Sequence, residues 1–318
     1  MGAPAHWRPH RLPIGGDGKL PDNNFGVVRC STESRSDATR DIDQVSVPQG
    51  LALLAHESRR AFDAFVAAAP QLAPIVDAVV ACVRAGGSVH LFGAGSSGRL
   101  AALDAAEIPP TFGIAPTVFQ AHLAGGPSAM TEAAENAEDD TDDGARAGAL
   151  LGPADVAIGV TASGSTPFVL AALAAARSRG SFTALIDCNP SSTPRDLDSH
   201  VTLDTGPEAI AGSTRLNAAT AQKLALNAIS TLAMVHLGKT YSNLMVSVQP
   251  TNAKLRSRQA GMLAEISGAP PAAVAAAIAA AGGRGDVALA MLVQGWDAAH
   301  AATALADGVS LRRLVDRG

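Results

Sequence analysis

The chain has 318 residues, of which 47% are hydrophobic and 17% charged, so it can bury a core and is not a disordered chain. Its net charge of -5 excludes the basic surface that is typical of nucleic-acid binding. Three cysteines without a CxxC pair argue against a disulfide framework or a metal site, and they favour a reducing compartment such as the cytoplasm.

The N-terminal residues, 1–36, are rich in Pro, Gly and Arg and contain no apolar segment. We therefore expect a flexible N-terminal extension there and not a signal peptide. Apolar runs elsewhere are interrupted by charges or turn residues before they reach about 18 residues, so we expect no membrane-spanning helix and no membrane partner.

Helical and strand patterns alternate along the rest of the chain. Residues 48–84 have the apolar spacing of a helix. Short apolar runs predict buried strands at 88–92, 116–120, 155–160, 181–186 and 200–203. Helices are predicted between them at 99–106, 128–140, 168–179 and 214–237, the first of which we expect to end before Pro109 and Pro110.

This alternation predicts the fold class: an α/β fold with a parallel sheet flanked by helices. We assign residues 37–259 to this α/β domain. The Ala- and Gly-rich residues 260–318 are expected to form a small helical C-terminal subdomain of three or four helices.

Two loops of small residues follow the first and third predicted strands. The first contains a GxGxxG pattern, but the acidic residue that would hold a nicotinamide ribose is missing, so we expect no such cofactor. The hydroxyl groups in the two loops are those of Ser96, Ser97, Thr161, Ser163, Ser165 and Thr166. They could be helix N-caps, but two matching loops that each open a helix favour the binding of one phosphate.

Several segments carry a family resemblance. Residues 161–166 resemble the phosphate loop of the sugar-isomerase domain family. Residues 103–111 and 134–139 look like the segments that carry the two catalytic glutamates of the N-acetylmuramic acid 6-phosphate etherases. Residues 206–223 are similar to a signature that these etherases share with glucokinase regulatory proteins, and residues 239–245 and 251–255 extend the match.

The resemblance implies a flavodoxin-like sugar-isomerase fold and a lyase that releases D-lactate from N-acetylmuramic acid 6-phosphate in cell-wall recycling. It implies a sugar-phosphate substrate, a homodimer, and no metal or other cofactor. Glu107 matches the catalytic acid and Glu138 the second catalytic carboxylate. Glu208 and Arg215 lie in the shared signature, so the resemblance implies that they are near the sugar; a structural ion pair between them is the alternative.

The two glutamates differ in how far their neighbours support these roles. Glu107 is predicted near a helix C-terminus beside Ile108, where the helix dipole and desolvation both favour the neutral form that an acid needs. Glu138 belongs to a run of acidic residues that could equally be a solvated helix face.

Three positions depart from the etherase pattern: Ser165 replaces an Arg, Asn217 a Lys and Ser247 an Asp. The loss of two cations near an anionic substrate predicts weaker binding or another specificity. Two alternative functions therefore stay open at this point, a non-catalytic sugar-phosphate-binding regulator and an aldose–ketose sugar-phosphate isomerase.

Overall fold

One sheet of five parallel strands forms the centre of the protein, in a computed structural model that describes residues 31–191 and 196–316. The spatial order of the strands is β2-β1-β3-β4-β5. Their bounds are Val89–Gly93 (β1), Phe119–Leu123 (β2), Val156–Val160 (β3), Phe182–Asp187 (β4) and Ser199–Thr202 (β5). The predicted parallel α/β sheet is confirmed.

The order of the strands reverses between β1 and β3, which are neighbours in the sheet although β2 lies between them in sequence. Their register pairs Gly93 with Val160, so both strands end at the same level. Open α/β sheets bind ligands in the crevice at such a reversal. The loops that follow β1 and β3 therefore begin side by side at the position where a ligand is expected.

Helices cover both faces of the sheet. Their bounds are Val47–Glu57 (α1), Arg59–Ala68 (α2), Ala73–Arg84 (α3), Gly95–Phe112 (α4), Thr141–Gly148 (α5), Pro167–Ser178 (α6) and Asn217–His236 (α7). The apolar faces of α2, α3, α4 and α7 pack with Leu91 and Ile158 in the main core. The opposite face, with Phe92 and Leu185, packs with α6. Alternate strand residues thus serve two cores, as a sheet covered on both faces requires.

The run of helices over residues 47–84 is long and apolar enough, by length and composition, to be a candidate membrane span. The helices at 253–267 and 271–280 reach that length and hydropathy only together, and they are bent by 113° against each other. The most apolar part of the first run is its end, where Ile75 and Val79 are fully buried. Both side chains belong to the main core, in contact with the sheet and α7. Packing in the core therefore accounts for the buried part of this run, which is 39% of its most apolar window.

The predicted end of α4 before Pro109 and Pro110 is wrong, because the helix continues through both prolines to Phe112. It ends only where Gly113 takes a left-handed conformation and donates its N–H to the Pro109 carbonyl. A proline inside a helix removes a hydrogen bond. Burial of Ile108, Pro109 and Phe112 offsets this loss, and the Pro110 carbonyl accepts the N–H of Gln249.

Two other predicted elements need correction. The second strand lies three residues later than predicted, because its pairing with β1 begins at Phe119. The predicted helix at 128–140 is absent: two short 3-10 turns, Pro127–Met130 and Ala137–Asp139, stand in its place. Between these turns Asn136 has a φ of 58°, which no regular helix allows.

Within the described residues, the C-terminal part of the chain forms five helices, more than the three or four predicted. Their bounds are Ala253–Ser267 (α8), Pro271–Ala280 (α9), Gly285–Gln294 (α10), Ala298–Ala306 (α11) and Leu311–Val315 (α12). They enclose a second core, to which Leu263 and Leu289 belong. The boundary predicted between residues 259 and 260 falls within α8, so the domain division stays a prediction.

The predicted flexible extension lies mostly in residues 1–30, outside the described residues. Its last part, residues 31–36, is packed: Thr32 and Ser36 are buried, and the Ser36 hydroxyl donates to Glu57. This short segment therefore belongs to the folded part of the chain.

Candidate functional site

The loop after β1, residues 93–98, is built on the close approach of two glycines; we call it the glycine loop. A Cβ atom on Gly98 would lie 2.6 Å from the Gly93 carbonyl oxygen and 2.3 Å from Leu123 Cδ1. No side chain fits there, so α4 can begin directly against the end of β1. Gly95, with a φ of 52°, makes the turn into the helix.

The two predicted hydroxyl residues of the glycine loop differ in burial. Ser96 is half-buried, whereas Ser97 is buried. The Ser97 hydroxyl donates to Gln222 Oε1 on α7 at 2.8 Å, and Gln222 is itself fully buried. The glycine loop is therefore tied to α7 from inside the protein. Ser96 is the more accessible of the two hydroxyls for a ligand.

The loop after β3, residues 161–166, is a cluster of hydroxyl groups; we call it the hydroxyl loop. Thr161 Oγ1 lies 2.6 Å from Thr166 Oγ1, and Ser165 Oγ donates to Ser163 Oγ at 3.0 Å. Gly164 provides the turn with a φ of 74°. Helix α6 begins at Pro167, directly after the cluster. The structure thus brings the four predicted hydroxyls together at a helix N-terminus, a geometry that suits an anion.

Glu138 lies in the 3-10 turn Ala137–Asp139 and is exposed. It lines a cavity of about 270 Å³ together with Ala94 and Gly95 of the glycine loop. The turn is packed against Gly125, where a Cβ atom would lie 2.5 Å from Ala134 Cβ and 3.2 Å from Ala137 Cβ. Glu138 is therefore held at the mouth of the glycine loop, although not on the helix face that the sequence suggested.

Glu107 lies on the surface of α4, five residues before the end of the helix, and is exposed. The desolvation expected beside Ile108 is therefore not found in the single chain, since Ile108 points into the core while Glu107 faces outward. The cavity that Glu138 lines does not include Glu107. The two predicted catalytic carboxylates therefore do not share this cavity in the single chain.

Glu208 is fully buried and caps the N-terminus of α7. Its carboxylate accepts the N–H groups of Asn217 at 2.8 Å and Ala218 at 2.9 Å. Burial raises the pKa of Glu208, and the two N–H donors oppose that shift. Arg215 is exposed and makes no ion pair with Glu208, so the alternative of a structural ion pair is not found. Contact of either residue with a sugar stays a prediction.

The chain is similar to known proteins over most of its length. The model of the glucokinase regulatory protein N-terminal SIS domain matches residues 71–177. An N-acetylmuramic acid 6-phosphate etherase of Thermobifida fusca is 49% identical, over 84% of this chain and 88% of its own length. Another, of Rubrobacter xylanophilus, is 43% identical over 90% of this chain and 96% of its own length. The chain belongs to the N-acetylmuramic acid 6-phosphate etherase family.

The family predicted from the motifs is thus confirmed. Among solved structures, an E. coli CFT073 protein in complex with A5P matches 60% of this chain and 93% of its own, with 17% identity and a TM-score of 0.42. The fold of this etherase family member follows from its own strand order and register.

Two buried polar residues near the site were not anticipated from the sequence. Gln222 holds Ser97, as described above. Asp104, one turn before Glu107, is buried between α4 and α7, where its carboxylate accepts hydrogen bonds from Asn227 and Ser230. Burial raises the pKa of Asp104, and these hydrogen bonds oppose the shift. Both residues lie in segments that carry the family resemblance. A polar residue in a helix is ordinarily exposed, so the sequence did not indicate that these two side chains are buried hydrogen-bond partners.

Proposed function

We propose that this chain is a carbon–oxygen lyase that cleaves the D-lactyl ether of N-acetylmuramic acid 6-phosphate, giving N-acetylglucosamine 6-phosphate and D-lactate. The observation that carries the proposal is the register of β1 and β3, which sets the glycine loop beside the hydroxyl loop at the reversal of the sheet. The two loops offer hydroxyls, backbone N–H groups and two helix N-termini to the sugar phosphate. Glu138 lies in the adjoining cavity.

The reaction requires an acid and a base. Opening of the sugar ring gives an aldehyde, which makes the C2 proton acidic. A base removes this proton, the bond from C3 to the lactyl oxygen breaks, and an acid protonates that oxygen as lactate leaves. Water then adds to the C2–C3 double bond that this leaves, with its oxygen bonding to C3 and a proton returning to C2. Two carboxylates can divide these tasks if one is protonated and the other ionised; in this proposal Glu107 is the acid and Glu138 the second carboxylate.

A homodimer is part of the proposal, because Glu107 needs an apolar cover that the single chain does not provide. Leu103, one turn before Glu107 on α4, is 48% exposed, and Leu232 on the neighbouring α7 is 47% exposed. Apolar side chains that form one contiguous surface patch mark interfaces, and in this proposal Leu103 and Leu232 belong to such a patch. A second copy on this face would desolvate Glu107 and favour its protonated form. We also propose a cytoplasmic location, since the substrate is a phosphorylated sugar.

The regulator and the isomerase are less well supported alternatives. The regulatory-protein model matches only residues 71–177. The Thermobifida and Rubrobacter relatives named as etherases match this chain over 88% and 96% of their own lengths. Both predicted catalytic glutamates are present, which a regulator would not require.

The test is the release of D-lactate from N-acetylmuramic acid 6-phosphate by the purified chain. We expect release by the wild type and its loss, by at least about a thousand-fold, in Glu107→Gln and in Glu138→Gln. Asp139→Asn is the matched control, because Asp139 neighbours Glu138 without lining the cavity. Wild-type protein that binds the phosphosugar without releasing lactate would refute the etherase and favour a regulator. Conversion of a sugar phosphate to its ketose isomer would favour the isomerase.

A further inference from the structure

Arg99, on the second turn of α4, is fixed in place by one edge of its guanidinium group. Its Nε donates to the Met130 carbonyl at 3.2 Å, and its Nη2 donates to the Glu132 carbonyl at 2.9 Å. A guanidinium group has five N–H donors in a rigid plane. The two carbonyls occupy the Nε–Nη2 edge, so the end of the group, formed by Nη1 and the second N–H of Nη2, is left without a partner in the described part of the chain.

The charge of Arg99 is also without a counter-ion. Arg99 lines the same cavity of about 270 Å³ as Glu138, and Glu135 is the other carboxylate there. Within residues 31–191 and 196–316, no carboxylate oxygen lies within 4 Å of the Arg99 guanidinium group. Arg99 is thus a half-buried cation that two carbonyls hold in a fixed orientation and whose free N–H groups can bind an anion.

The cavity itself is small, and alanine methyl groups make up much of its apolar lining beside the polar side chains of Arg99, Glu135, Asn136 and Glu138. The alanines of the lining are Ala94, Ala124, Ala129, Ala133, Ala134 and Ala137. A compact ligand group with one methyl and one anionic end would match this surface. A planar guanidinium end binds a carboxylate through two parallel hydrogen bonds, which gives both strength and orientation.

We propose that Arg99 binds the carboxylate of the lactyl group of the substrate, with the lactyl methyl group against the alanines. The proposal rests on the proposed function. The substrate carries two anions, and the glycine and hydroxyl loops already account for its phosphate. The second anion is on the group that leaves, and Arg99 lies in the cavity of Glu138, one of the two carboxylates assigned to the reaction. Arg99 thus determines specificity for a lactyl ether over a plain phosphosugar.

The experiment compares two ligands that differ only in the lactyl group. For the wild type, Arg99→Gln and Arg99→Lys, the KM for N-acetylmuramic acid 6-phosphate is measured together with the inhibition constant of N-acetylglucosamine 6-phosphate. We expect Arg99→Gln to raise the KM by about ten-fold or more, with a change below about two-fold for the inhibitor. Arg99→Lys keeps the positive charge but not the two parallel N–H donors, so its KM should lie between those of the wild type and Arg99→Gln. Arg313→Gln, an exposed arginine on α12, is the matched control.

The other outcomes overturn the inference in distinct ways. Equal weakening of both ligands would mean that Arg99 serves only to hold residues 130–132 or contacts the phosphate. No change in either would mean that it has no part in binding. If the wild type releases no lactate, the proposed function fails, and calorimetry with the two ligands then decides the inference alone. The inference is supported if the wild type binds N-acetylmuramic acid 6-phosphate more tightly than N-acetylglucosamine 6-phosphate and Arg99→Gln removes this difference in affinity. It is refuted if the wild type shows no such difference.

Discussion

The glycine loop and the hydroxyl loop occupy equivalent places at the ends of neighbouring strands, but they are built in different ways. The glycine loop depends on missing side chains: Gly93 and Gly98 touch through their backbones, and Ser97 is tied to Gln222 in the interior. The hydroxyl loop depends on side chains that contact one another, with Thr161 against Thr166 and Ser163 against Ser165.

This difference indicates that the glycine loop contributes mainly to stability and the hydroxyl loop mainly to ligand affinity. A backbone contact tolerates no added atom, so the glycine loop is a structural joint whose failure should destabilise the fold. Hydroxyls that pair with one another can exchange those bonds for an anion, so changes in the hydroxyl loop should affect affinity more than stability. Four measurements test this division.

The largest effect is expected from Gly98→Ala. The new Cβ atom would lie 2.6 Å from the Gly93 carbonyl oxygen, which is backbone and cannot move aside. We expect a loss of about 3 kcal/mol in the free energy of unfolding, measured by urea denaturation. The control is Gly261→Ala on α8, where nothing lies within 4 Å of the new atom, and which should be neutral or stabilising. Equal stability of the two variants would contradict the claim that the backbone contact between Gly93 and Gly98 is needed for the fold.

The second effect is a loss of stability in acid that arises in the strands next to the glycine loop. Phe92, the residue before Gly93, stacks on His122, whose Nε2 lies 2.9 Å from His90 Nδ1. Burial, with a smaller effect of His90, lowers the pKa of His122 to about 4, and burial also lowers the pKa of His90. The unfolded chain therefore takes up protons first as the pH falls.

The contribution of these two histidines to stability should accordingly be constant above about pH 6.5 and decrease by about 2 kcal/mol as the pH falls from 6.5 to 4. Denaturation curves across this range measure the effect. His122→Gln should flatten the slope, whereas His236→Gln, at an exposed position on α7, should leave it unchanged. An unchanged slope in His122→Gln would rule out this histidine as the cause.

A third, smaller effect is expected from Ser97→Ala. The change leaves Gln222 Oε1, which is fully buried, without its donor at 2.8 Å. We expect a loss of about 1 kcal/mol in the free energy of unfolding. Urea denaturation measures the loss, and calorimetry with the phosphosugar should show a weaker effect on affinity than Ser163→Ala produces. The reverse ranking would mean that Ser97 is chiefly a phosphate ligand.

The smallest effect on stability, below about 0.5 kcal/mol, is expected from Ser163→Ala, because its half-buried hydroxyl contacts only other groups of the hydroxyl loop. Affinity for N-acetylglucosamine 6-phosphate, measured by calorimetry, should nevertheless fall about five-fold through the loss of one phosphate contact. Unchanged affinity would contradict the role of the hydroxyl loop.

The sequence by itself determined those features that depend on neighbouring residues. The positions of β1, β3 and β4 followed from short apolar runs, and both loops followed from glycines and hydroxyls directly after them. The family followed from segments whose residues are consecutive. Local order suffices in these cases because a buried strand and the loop after it are encoded within about ten residues.

The tertiary structure decided what depends on distant contacts. The continuation of α4 through Pro109 and Pro110 follows from burial of the last turn and from the N–H of Gln249, which is far away in sequence. The position of Glu138 follows from the packing of Ala134 and Ala137 on Gly125. Glu208 caps α7 because the fold places its carboxylate at the N–H of Asn217. Arg99 holds the segment 130–132 because the fold places its guanidinium group at the Glu132 carbonyl. A sequence pattern reports which groups are present, whereas burial and hydrogen-bond partners are properties of the folded chain.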